Sequence, residues 1–98
     1  MSKFLILWEV DSARVPADPK ERGTAWLALI EMVKADMKKG ITKDWGSFPG
    51  ELRGYTISEG TENDIGRLCL PYMPWVRFEV HPVASLADNE QAIKGLVK

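Results

Sequence analysis

The chain has 98 residues, 45% of them hydrophobic and 28% charged, and a net charge of −1. That length leaves room for one domain with a modest core, and the mix is that of a globular rather than a disordered chain. Scattered Lys and Arg form no basic stripe for nucleic acid, and the single cysteine, Cys69, excludes an intrachain disulfide scaffold.

The first element is an apolar strand over residues 4–10. Phe4, Ile6, Trp8 and Val10 share one side; Leu5, Leu7 and Glu9 share the other. Two half-apolar sides predict a central strand. The run is too short for a signal-peptide core or a bilayer span, and Glu9 and Asp11 interrupt it. The expectation is a cytoplasmic chain with no membrane partner.

A helix over 19–39 follows. Asp18 is its N-cap, Pro19 occupies the first turn, and Glu21 completes a capping box. Trp26, Leu29, Ile30, Val33 and Met37 recur at helical spacing and predict a core-facing stripe. Lys38 and Lys39 before Gly40 give it a basic last turn and a glycine stop. The Lys-rich stretch 34–43 therefore complements the helix dipole.

Two extended runs, 41–48 and 53–59, flank the turn signal Pro49–Gly50 and read as a hairpin with a bulge at Gly46 or Gly54. Thr61 caps a second, short helix over 62–70, which Pro71 stops. Cys69 on its apolar side reads as a small buried hydrophobe. A strand over 75–83 alternates Val76, Phe78 and Val80 with Arg77, Glu79 and His81, and Pro82 suits it to a sheet edge. Ser85 caps a last helix reaching Leu96.

The order strand, helix, strand, strand, helix, strand predicts an α+β, ferredoxin-like βαββαβ domain over 1–98, with an extra C-terminal helix. Its first and fourth strands pair antiparallel. Phe4, Ile6 and Trp8 then lie under the helices with Val76, Phe78 and Val80, and Trp8 is expected in the core. The opposite face carries Leu5, Leu7, Glu9, Arg77, Glu79 and His81. Leucines on an uncovered face predict a second copy docked sheet to sheet, a homodimer.

The segments "KFLILWEV", "DPKERG", "KDWGSFPGE", "RGY" and "RFEVHPV" resemble the dimeric α/β-barrel superfamily over nearly the whole chain. The pattern is similar to muconolactone isomerase-type members and, more closely, to small uncharacterised families of that fold. The resemblance implies a homodimer and brings no catalytic residue with it. Relatives include cofactor-free isomerases and monooxygenases, haem-degrading enzymes and members without known activity. A haem-ligand role for His81 follows from fold analogy alone, and fold does not choose among these functions.

His81 is the only histidine and the natural acid or base, with Glu79 two residues away on the same strand face. Arg77 would steady an anionic intermediate. The alternative is a histidine hydrogen-bonded at a sheet end. Trp45, Tyr55 and Glu9 are the candidate ligand contacts, near a cavity expected beside His81 and Glu79. Against that, Trp45 reads as packing against a helix or a partner, and Glu9 as the ion-pair partner of Arg77. One His and one Cys without ligand spacing predict no metal and no cofactor. Three functions remain open: a homodimer binding a small apolar or aromatic molecule, a cofactor-free isomerase or monooxygenase using His81, and an assembly subunit with no pocket.

Overall fold

The computed structural model describes residues 2–97. Its elements run β1 (Ser2–Val10), α1 (Pro19–Lys39), β2 (Thr42–Ser47), β3 (Arg53–Gly60), α2 (Glu62–Cys69), β4 (Val76–Val83) and α3 (Leu86–Lys94). Single 3-10 turns at Ser12–Arg14, Leu70–Tyr72 and Gly95–Val97 join or end them. The four strands form one antiparallel sheet in the order β2-β3-β1-β4. This is the ferredoxin-like arrangement, with β4 at an edge, where Pro82 costs no ladder bond on the open side.

Local signals set the boundaries. The Asp18 carboxylate accepts from the Glu21 amide at 3.0 Å, and Gly40 closes α1 in the left-handed region at φ 86°. At α2 both halves of a capping box form, Thr61 accepting from the Asp64 amide and Asp64 from the Thr61 amide. Those hydrogen bonds hold the Asp64 carboxyl below the usual range. Ser85 caps α3 through the Asp88 amide.

Register sorts the side chains. Ile6 lies opposite Val80 and Thr56, Trp8 opposite Phe78 and Gly54, and Val10 opposite Val76. Phe4, Ile6 and Val76 are buried on that face. The packed core is small: Phe4, Ile6, Ile65, Leu68 and Cys69, with Ile41 and Phe78 against it. Cys69 is a buried, unbonded thiol. Burial first, and the Asp36 charge second, push it up to about 11.

Three expectations need correction. The α1 stripe is not packed core: no α1 residue is buried, and Trp26 and Met37 are 40% and 45% exposed. Trp8 faces the helices as expected but is only half-buried, because the space beneath α1 is not filled. The β2–β3 irregularity lies between Thr42 and Asp44, not at a glycine. Gly46 and Gly54 serve another purpose. A Cβ on Gly46 would stand 2.6 Å from the Tyr55 ring, and one on Gly54 would overlap the Trp8 indole and the Gly46 carbonyl. Both glycines make room for an aromatic ring on the adjacent strand.

The molecule is elongated, 62 × 26 × 19 Å with a radius of gyration of 16.5 Å. A compact chain of this length would have a radius near about 13 Å. Leu86, Ile93, Leu96 and Val97 at the C-terminal end are 60–86% exposed. Among the described residues, no helix is long and apolar enough to cross a membrane.

Candidate functional site

The space left under α1 is a cavity of about 390 Å³ between that helix and the sheet. Trp26, Leu29, Ile30 and Val33 form its roof, one turn after another along α1. The sheet gives it a floor of Trp8, Val10, Trp45, Thr56, Val76 and Phe78, and Tyr72 and Leu68 close one side. Its volume falls within the range of about 300–1,000 Å³ typical of small-molecule sites, and its lining is largely apolar and aromatic.

Trp8 and Trp45 make the most ordered part of that floor. Their rings stack at 5.3 Å between centroids and 9° between planes. The Trp8 Nε1–H donates to the Tyr55 carbonyl at 3.2 Å, which fixes the indole across β3. Gly54, directly opposite Trp8, permits that position. Tyr72 meets Phe78 edge-on, with centroids 5.9 Å apart.

Two carboxylates reach the cavity, Asp36 and Glu51. The Tyr72 hydroxyl donates to Asp36 Oδ2 at 2.6 Å. Burial of the phenol first, then this hydrogen bond and the Asp36 charge, raise Tyr72 well above the usual tyrosine range. Tyr72 is therefore a neutral donor at ordinary pH, and Asp36 is the acceptor it serves. Glu51 lies 3.9 Å from the Arg53 guanidinium. Among the described residues, no Lys, Arg or His lines the cavity.

The open face of the sheet is a separate place. His81 Nε2 and Glu79 Oε2 are 2.6 Å apart, so the structure brings this pair together. Arg77 donates to Glu9, and the Arg53 Nε lies 3.9 Å from the other Glu9 oxygen. Tyr55 is on this face, stacked near Phe48 and donating to Asp44 Oδ2 at 2.7 Å. That bond, then partial burial and the Asp44 charge, raise the Tyr55 phenol. Leu5, Leu7 and Ile57 lie between these groups, each half-buried.

Of the six candidate residues, five share the open face: His81, Glu79, Arg77, Glu9 and Tyr55. Trp45 pairs with Thr56 and points to the helix side, so the sheet separates it from His81. None of the other five lines the cavity. Sequence reasoning missed Trp8, Trp26, Asp36 and Tyr72 as a group. One signal was present: Asp36 continues the Trp26, Leu29, Val33 spacing and puts a charge on an otherwise apolar stripe. Among the described residues, no cluster of His, Cys, Asp or Glu is placed to hold a metal ion.

No protein-family model matches the chain, and no curated protein matches it in sequence.

Proposed function

We propose that this protein binds a small, largely apolar or aromatic molecule in the cavity between α1 and the sheet. The observation that carries the reading is the stacked Trp8–Trp45 pair flooring a space of about 390 Å³ that α1 roofs without filling. An apolar helix stripe normally buries itself against its sheet. Here it stands over a void, and a flat organic ligand would supply the missing contacts. The cavity favours this function over an assembly subunit with no pocket.

The same reading places the chain in the dimeric α/β-barrel superfamily, as a cytoplasmic homodimer. Support for the dimer comes from the uncovered sheet face, where Leu5, Leu7, Ile57, Tyr55 and Phe48 alternate with ion-paired groups. The elongated shape fits a chain that gains burial from a second copy.

A test is ligand-induced thermal stabilisation with neutral two-ring aromatics, on the wild type and on Val33→Phe. Val33 lines the roof, and the larger ring takes up part of the space. The wild type should be stabilised progressively as ligand is added, and V33F should need at least about tenfold more ligand for the same shift. Equal responses in both proteins would move the binding site elsewhere.

One observation favours a second reading. His81 and Glu79 are hydrogen-bonded at 2.6 Å beside Arg77, a base, an orienting carboxylate and a cation on one face. In a cofactor-free isomerase or monooxygenase, His81 would move the proton and Arg77 would hold the anion. That pair is exposed in the single chain, so this reading requires the partner subunit to cover it.

A further inference from the structure

Resting on the cavity reading, we infer that the ligand is a cation: an organic amine or quaternary ammonium carrying an apolar or aromatic body. Three observations converge on it. Five aromatic rings, Trp8, Trp26, Trp45, Tyr72 and Phe78, surround one space. Ring faces carry negative quadrupole charge and attract ammonium groups, tryptophan most strongly. Among the described residues, the ionisable side chains in the lining other than Tyr72 are the two carboxylates.

Asp36 is the decisive group. It is part-buried, on the roof helix, and accepts a hydrogen bond from the neutral Tyr72 hydroxyl. Among the described residues no Lys, Arg or His forms an ion pair with it. Glu51, by contrast, already faces Arg53. Arg22 stacks on Trp26 at 5.7 Å, so that indole accepts a cation in this structure. It lies 14 residues before Asp36, about 21 Å along the helix, too far to neutralise it. Asp36 therefore meets the cavity with no cation beside it to offset its charge. An ammonium ligand complements that charge, whereas an anionic ligand is repelled by it.

Tyr72 completes the arrangement as a positioning residue. Its phenol stays protonated and fixes one Asp36 oxygen, which orients the carboxylate for a charged donor. The chemistry is recognition alone; no bond is made or broken.

The experiment is calorimetric titration with three probes of one shape: 2-naphthylmethylammonium, 2-naphthylmethanol and 2-naphthoate. The cation should bind about tenfold or more tightly than the alcohol, with naphthoate weakest. Asp36→Asn keeps an acceptor for Tyr72 and should bring the cation down to the affinity that the alcohol has for the same variant. Tyr72→Phe keeps the carboxylate but releases its fixed oxygen, and should narrow the preference for the cation without abolishing it. Alcohol or naphthoate binding as tightly as the amine, or a preference that survives D36N, overturns the inference while the cavity reading stands. Failure of all three probes to bind overturns both.

Discussion

Trp8 lies across β3 onto Trp45 because Gly54, its direct partner on that strand, has no side chain. Two indoles from strands that are not neighbours thereby become the floor of the cavity. Gly54→Ala should cost about 1–3 kcal/mol, the usual penalty for forcing atoms into filled space, and should change the near-ultraviolet circular dichroism of the tryptophans. Urea denaturation matching wild type, with an unchanged spectrum, would mean that Trp8 does not rest there.

The stack itself is measurable. Trp8→Ala, Trp45→Ala and the double variant form a cycle whose coupling energy should be about 1 kcal/mol, the usual worth of an aromatic pair beyond its area. Trp8→Ala alone should cost about 3 kcal/mol, the lower end for a large aromatic, because the side chain is half-buried. A coupling near zero would make the two rings independent.

Ser58 is fully buried, and its hydroxyl has no hydrogen-bond partner among the described residues. A buried, unsatisfied hydroxyl destabilises a fold by about 1–3 kcal/mol. Ser58→Ala should therefore raise the stability, by about 1 kcal/mol in chemical denaturation. A loss of stability would point to a bonding partner for the hydroxyl.

Alkali should weaken the fold through Cys69 and Tyr72. Both groups have raised values in the folded chain, so their protonated forms are favoured there. For Cys69 the contribution is complete below pH 9.0, its ordinary value, and is lost as pH rises towards about 11. For Tyr72 the loss begins above 10.0. Unfolding free energy measured across this range should fall with pH, and Cys69→Ala should flatten the lower part of the decline. A wild-type profile flat to pH 11 would remove burial as the cause.

The proposed dimer has its own measurement. Sedimentation should give twice the 11.0 kDa chain mass, and Leu7→Lys, which puts a charge at the centre of the open face, should give the single mass with the fold intact. A wild-type chain that sediments singly at micromolar concentration would leave the open sheet face uncovered.

The fold was legible because its signals are local. Asp18, Pro19, Gly40, Thr61 and Ser85 mark helix ends by their own chemistry. The alternation in β1 and β4 sets which side chains share a face, and the pairing of Glu9 with Arg77 follows directly. The site was less legible. Periodicity shows that Trp26, Leu29 and Val33 line up, but a stripe pressed on a sheet and a stripe roofing a void have the same spacing. Hairpin position alone puts Trp45 with His81, whereas a strand alternates sides with every residue and the irregularity near Lys43 sets which side Trp45 takes. That phase is a property of the pairing, not of the segment.

The most direct test of the account is the behaviour of the indole N–H signals in a nitrogen-15 correlation spectrum during titration with 2-naphthylmethanol. Trp8, Trp26 and Trp45 line the cavity, while Trp75 is outside it and 49% exposed. The account predicts saturable shifts of the first three with Trp75 unmoved. Shifts confined to Trp75, or no saturable shift of any indole, would contradict it.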